Sequence, residues 1–459
     1  MNKTKALATR LVVLTALSLF AAVSALAQEA APIASKMDEY LSAAAKQGFT
    51  GSALVARDGK VIFSKGYGMA NAEWDIPNTP QTKFRLGSIT KQFTAASILL
   101  LQERGKLSVR DPVCKYIAEC PKTWEPVTIH HLLVHTSGIP SYTDVKTPEE
   151  FRKLSLTQVT PAGFVDSFKS KPLEFPVGEK MKYNNSGYFM LGYIIEKVSG
   201  QSYEAFLQEN IFSPLIMADT GYDTHDRILK NRATGYSKRA DKIVNSDYLD
   251  MTVPYAAGSL YSTVEDLFAW NEALFSDKLL SAKSREAMMT VDKNDYAYGL
   301  AVNQQHNRKM ISHGGGINGF NTILARFPEE KITTVVLRNA DYGFSSPGKI
   351  SQDLAGIVFG EKYEIPRERV AIKIDPKILD AYVGQYELNP NFIFTMTREG
   401  DSLMTQATGQ PKFELFPESE TKFFLKVVDA QVTFVKDDKG AVTHLILHQG
   451  GDRTAKKIK

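Results

Sequence analysis

The sequence predicts an α/β (α+β) chain: an antiparallel sheet built from both ends of one long region, a mainly helical lobe inserted between those ends, and a small C-terminal antiparallel β barrel or sandwich. Three observations predict it. Early in the chain, SALVARDGKVIFSKGYG alternates apolar and polar residues on both sides of Asp58-Gly59, which is a hairpin signature. Helical periodicity then dominates to about Ala287, in SITKQFTAASILLLQER closed by Gly105, TIHHLLVH, SGYFMLGYIIEKVSG and STVEDLFAWNEALF. Strand patterns return in YGLAVNQQ, FNTILARFP and KITTVVLRN. Strands at the two ends with helices between imply a single sheet, and the cleft between sheet and helical lobe is the natural place for a site.

Each boundary has its own signal. The opening MNKTKALATRLVVLTALSLFAAVSALA places Lys3, Lys5 and Arg10 before an apolar run and ends on Ala25-Leu26-Ala27, so residues 1–27 read as a cleaved secretory signal. The run is short of the roughly 20 apolar residues that a membrane span needs. A short amphipathic helix is expected from Met37 to Lys46. Residues 28–362 form the main domain, 363–377 a linker around EIPRERVAIKIDP, and 378–459 a β domain of seven strand patterns from YVGQYEL to AVTHLILHQ. Cys114 and Cys120, the two cysteines of the chain, read as a structural disulfide in an oxidising, periplasmic or secreted setting.

Charge excludes one class of partner. Removing residues 1–27 takes away three basic and no acidic side chains, bringing the formal charge from +4 to +1. The remaining charges of both signs are mixed along the chain, without the basic clustering of nucleic-acid binders. The sequence asks for no cofactor. His131 and His135 have the spacing of two metal ligands on a helix, but HExxH and a third ligand are missing, so no metal is expected.

Three segments can carry chemistry. Ser-x-x-Lys occurs at Ser88/Lys91, Ser346/Lys349 and Ser419/Lys422. One helical turn sets such a serine beside its lysine. Ser346 lies in SSPGK, whose Pro and Gly argue against a helix, and Ser419 lies in a charged turn; Ser88 alone opens a long apolar helix. There the positive helix end favours a neutral Lys91, able to accept the Ser88 proton, and leaves the Ser88 N–H free for an oxyanion. The bland alternative is an N-cap serine followed by a solvated lysine. Among nineteen tyrosines a single Tyr-x-Asn occurs, Tyr183-Asn184-Asn185, offering a phenol to move a proton and an amide to hold a substrate. Between two strand patterns lies HGGGINGF, whose glycines permit close approach of a substrate backbone. The bare His-x-G at His448-Gln449-Gly450 lacks that setting.

Taken in order, FRLGSITKQFTA, LLVHTSGIPSY, YNNSGYFMLGYIIEKVSG, AAGSLYSTVEDLFAW and HGGGINGF resemble the serine β-lactamase-related and penicillin-binding protein superfamily over about residues 36–360. Ser-Asp-Asn and Lys-Thr-Gly are absent, and the tyrosine motif is similar to that of class C β-lactamases, D-alanyl-D-alanine peptidases and the family's esterases. The resemblance implies Ser88 as nucleophile, Lys91 as base, Tyr183 as proton shuttle and Asn185 as holder of the substrate amide. It places His313 and Gly315 at the first and third positions of the third motif, and the N–H groups of Ser88 and Gly316 in the oxyanion hole. The expected activity is hydrolysis of an ester, amide or peptide through an acyl-enzyme, with small-molecule or peptide substrates, peptidoglycan-derived ones among them. A β-lactamase and a penicillin-binding sensor with little turnover are the alternatives. Physiological substrate and oligomeric state stay open.

Overall fold

The strand Gly51–Arg57 is buried along six of its seven residues, because it is covered on both faces. Successive side chains of a strand point to opposite faces. Ala53 and Val55 accordingly pack with Met37, Tyr40 and Leu41 of the helix over residues 31–46 and with Ile350 and Leu354 of the helix Pro347–Phe359. Leu54 and Ala56 face the opposite way, into the core formed by the helices Thr90–Glu103 and Val264–Leu274. The structure, a computed structural model, describes residues 31–240, 242–343, 345–428, 430–449 and 452–459; the expected signal segment lies outside the described residues.

The sheet runs, edge to edge, Ala301–Gln305, Arg308–Ile317, Phe320–Phe327, Ile332–Arg338, Gly51–Arg57 and Lys60–Tyr67, antiparallel throughout. The last of the late strands pairs with the first early one, from Gly51↔Arg338 to Arg57↔Ile332. The inserted lobe contains the helices Ile129–Leu133, Pro148–Ser155, Pro161–Lys169, Asn185–Ser199 and Tyr203–Leu207. Each starts at a side chain that accepts a backbone N–H: Thr128, Thr147, Thr160, Asn184 and Ser202. Among the described residues no helix is long and apolar enough to cross a membrane. Cys114 and Cys120 are joined by a disulfide across a short loop.

Residues 361–375 carry no regular secondary structure. They lie against the following β unit, with Arg367 and Arg369 both on Glu418 and the Ile372 N–H donating to Pro417 O. That unit is a closed antiparallel barrel of eight strands, Gly384–Asn389 to Asp452–Lys457. Its eighth strand escaped the sequence reading and pairs with the first through Tyr386↔Lys457 and Glu387↔Lys456. Side chains fill the inside, where Tyr382 stacks on Phe434 at 4.2 Å and Phe423, Leu445 and Tyr386 are buried.

Two sequence expectations change. The helix argued against at SSPGK exists: Ser346 is the N-cap of Pro347–Phe359, and Pro347 occupies the first turn, where its missing N–H has no intrahelical acceptor to lose. The glycines of HGGGINGF do not lie between two strands. Gly314, Gly315 and Gly316 lie within the strand Arg308–Ile317, paired with Ile323, Thr322 and Asn321.

Candidate active site

Ser88 sits in a single 3-10 turn, Gly87–Ile89, that runs directly into the helix Thr90–Glu103. It does not cap that helix; no side-chain cap is made at either start. The segment before it is held on two sides. The Leu86 N–H donates to Leu260 O at 2.8 Å, and the Thr322 hydroxyl donates to Leu86 O at 2.7 Å. Gly87 has φ +55, and a Cβ there would stand 2.9 Å from Gly316 N. At Gly315 a Cβ would fall 1.9 Å from Leu86 O. Glycine at these two positions is therefore what lets the Ser88 turn and the strand end approach backbone to backbone.

Lys91, one turn on, is fully buried. Its Nζ reaches Ser88 Oγ at 2.9 Å, Asn185 Oδ1 at 2.8 Å and Ala257 O at 2.9 Å, and no carboxylate is among these partners. Burial holds the titration of Lys91 well below the usual lysine range, which favours the neutral amine. A neutral amine has two N–H bonds and one lone pair. Ala257 O and Asn185 Oδ1 can only accept, so they take both N–H bonds, and the lone pair is left for the Ser88 O–H.

The helix Asn185–Ser199 delivers the tyrosine motif. Asn184 is its N-cap, accepting from Gly187 N–H at 2.7 Å, so Asn185 opens the first turn beside Lys91. The Asn185 Nδ2 donates to Thr143 Oγ1 at 3.1 Å and its backbone N–H to Ser141 Oγ at 3.2 Å. Tyr183 lies just outside the helix, its ring centroid 4.8 Å from Lys91 Nζ. Protein atoms around the phenol push its titration up, while a hydrogen bond with Ser88 acts the other way. Tyr183 is therefore protonated at neutral pH, and with 38 % of its surface accessible it is open to the cleft.

His313, which the resemblance puts at the first position of the third motif and among the residues that bind substrate, is bonded within the fold. It is buried, Nδ1 donates to Gly314 O at 2.6 Å, and Nε2 accepts from the Tyr296 hydroxyl at 2.9 Å. Burial first, and Lys91 second, push its ring down to about 4, so it is neutral at neutral pH. What this strand offers the cleft is backbone, with Gly314 and Gly316 exposed and Gly315 half-buried.

Sequence reasoning missed the Ala257 carbonyl, Tyr296, and the pair Ser141 and Thr143. No local pattern marks a carbonyl that becomes a partner only through the tertiary fold. Ser346 and Ser419 lie elsewhere, their hydroxyls accepting backbone N–H groups of their own turns. His131 is absorbed by a capping box with Thr128, and the helix ends at Leu133, before His135. Among the described residues no group of three or more His, Cys, Asp or Glu could hold a metal ion.

A serine and a buried lysine at hydrogen-bond distance, faced by a protonated phenol and an exposed glycine backbone, form an arrangement that can carry acyl transfer, and the fold that holds them is the serine β-lactamase fold. The beta-lactamase family matches residues 33–355, and a domain of unknown function, DUF3471, matches residues 368–457. Penicillin-binding protein 4* of Bacillus subtilis is 32% identical over 442 residues, covering 90% of this chain and 96% of the relative. The octameric penicillin-binding protein homologue from Pyrococcus abyssi is similar in structure, with a TM-score of 0.64 and 29% identity over 92% of this chain and 99% of its own. A D-stereospecific amidohydrolase from Streptomyces sp. matches with a TM-score of 0.58 and 25% identity, covering 72% of this chain and 98% of its own. This chain belongs to the beta-lactamase family, whose members are mostly hydrolases and include penicillin-binding proteins, and it carries an additional C-terminal barrel.

Proposed function

We propose that this protein is an exported serine hydrolase that acylates Ser88 with small esters, amides or D-configured peptides and then releases the acyl group to water. The arrangement at Lys91 carries the reading: its lone pair is committed to the Ser88 proton by two carbonyl oxygens that can only accept. Lys91 removes that proton as Ser88 Oγ bonds to the substrate carbonyl carbon. The Ser88 and Gly316 N–H groups stabilise the resulting oxyanion; as the bond between the carbonyl carbon and the leaving alcohol or amine breaks, Tyr183 gives that group its proton and takes one back from the Lys91 ammonium, so that both return to their starting forms. Water then repeats the cycle on the acyl-enzyme. Asn185 holds the substrate's amide by giving up its Thr143 contact.

Specificity follows from the third motif. A neutral, inward-bonded His313 followed by glycine supplies neither the ammonium nor the hydroxyl that Lys-Thr-Gly would offer a substrate carboxylate. Uncharged esters and amides are therefore preferred to penicillins. The test is intact-protein mass spectrometry and steady-state turnover with a penicillin, an aryl ester and a D-alanyl peptide. Continuing turnover of the ester or peptide with a transient Ser88 adduct is expected. One equivalent of product followed by arrest identifies a sensor instead, and efficient penicillin hydrolysis identifies a β-lactamase.

A further inference from the structure

His135 belongs to none of the three motifs, yet it touches the site more closely than His313 does. It follows the helix Ile129–Leu133 with φ +60, a left-handed conformation rare for a residue with a side chain. Such strain persists only where surrounding structure over-determines it. Here the surroundings are the two residues that flank Tyr183. The Lys182 N–H donates to His135 O at 3.0 Å, and the Asn184 N–H donates to His135 Nδ1 at 3.1 Å. Between these bonds the Tyr183 ring lies against the imidazole, centroids 4.4 Å apart. Tyr296 at 4.7 Å and Tyr188 at 5.2 Å pack on the same imidazole.

The bond from Asn184 fixes the chemistry of the ring. An Nδ1 that accepts carries no proton, so the hydrogen is on Nε2. That Nε2 is buried without a hydrogen-bond partner, among the aromatic rings. An unpaired buried donor costs free energy, and its retention asks for a compensating role. Burial and the proximity of Lys91 and His313 keep the ring neutral, which preserves Nδ1 as an acceptor.

We infer that His135 is the positioning residue of Tyr183: its carbonyl and its Nδ1 clamp the backbone on either side of the phenol while its ring sets the ring plane, aiming the Tyr183 hydroxyl at the leaving group. The inference rests on the proposed acyl-enzyme reading, in which Tyr183 protonates that group. It does no bond-making of its own. Its loss therefore acts where proton delivery matters, on poor leaving groups, and spares good ones.

The test is the leaving-group dependence of kcat/KM across a series of aryl and alkyl acetates, in wild type, His135→Gly, His135→Asn and Tyr183→Phe. Glycine accepts φ +60 without strain, so His135→Gly removes ring and acceptor without a backbone penalty. Asparagine also tolerates this conformation, and its Oδ1 can stand in for Nδ1. His135→Gly is expected to lose about 10²-fold on alkyl acetates and less than about 5-fold on 4-nitrophenyl acetate, of the order expected for general acid catalysis. Tyr183→Phe should do the same, the double variant should lose no more than Tyr183→Phe alone, and His135→Asn should recover most of the loss. An equal loss on all esters, or full additivity with Tyr183→Phe, overturns the inference while leaving the acyl-enzyme reading standing. A wild-type protein that neither hydrolyses these acetates nor forms a Ser88 adduct overturns both. If thermal melting shows His135→Gly unfolded, the comparison is carried by His135→Asn against His135→Ser, and equal leaving-group dependence in those two is the overturning result.

Discussion

Ser88-Ile89-Thr90-Lys91 and Ser346-Pro347-Gly348-Lys349 are the same four-residue motif at the start of two long helices, and they have opposite physics. Ser346 spends its hydroxyl on the Lys349 N–H as an N-cap, and the Lys349 ammonium is half-exposed and paired with Asp353. Ser88 caps nothing. A preceding 3-10 turn sets the hydroxyl aside from the backbone, and Lys91 is buried among carbonyls with no carboxylate to keep it charged. What separates a structural serine from a reactive one is therefore the partner of the lysine, which the motif does not contain.

The sharpest break of this comparison is Ser88→Ala, expected to reduce ester turnover on the order of 10⁴-fold or more with the fold retained. Turnover surviving in that variant would falsify the assignment of the two serines. Next comes the protonation state of Lys91. Its titration is depressed by burial, so the rise of kcat/KM with pH should level off well below pH 10.5. A lysine with its ordinary value of 10.5 would instead gain roughly tenfold per pH unit until that pH is reached. The profile measured with a neutral ester decides between them.

Gly87→Ala tests the approach of the Ser88 turn to the third-motif strand. A methyl group 2.9 Å from Gly316 N, at φ +55, must push the Ser88 turn and the Gly316 amide, proposed as the two sides of the oxyanion hole, apart. We expect about a 10²-fold loss in kcat with little change in KM, the size of losing one oxyanion donor. A loss confined to KM would show that the strand end binds substrate and nothing more. The smallest effect belongs to Ser346→Ala, which removes a cap worth about 1 kcal/mol and should lower thermal stability while leaving kcat/KM unchanged. A change in kcat/KM there would connect the second motif to the cleft after all.

Much of this architecture was legible in the sequence because it depends on local periodicity. The early hairpin, the late strands and the helix after Ser88 follow from alternation and 3.6-residue spacing, and Ser88, Lys91, Tyr183 and Asn185, which meet in the structure, came from two separated motifs. The remainder was hidden for definable reasons. A proline read as a helix breaker was a helix starter, because its effect depends on which turn it occupies. His135 looked like the end of a helical pattern, since neither its positive φ nor its clamp on Tyr183 leaves a trace in spacing. The inward bond of His313 to Tyr296 was hidden because that partner is separated from it by a strand and a turn.

The strand Gly51–Arg57, one in from an edge of the sheet, bears on how the chain comes to be folded. Gly51–Arg57 is made early, but its neighbour Ile332–Arg338 is made after the whole helical lobe. On a ribosome, or emerging from any pore in N-to-C order, the early hairpin must wait with one apolar edge open until that late strand arrives. Closing so long a loop is entropically expensive, and pairings of high sequence separation fold slowly. The open edge is thus the segment through which an unfinished chain is most exposed to aggregation, and where a holding chaperone would have to act.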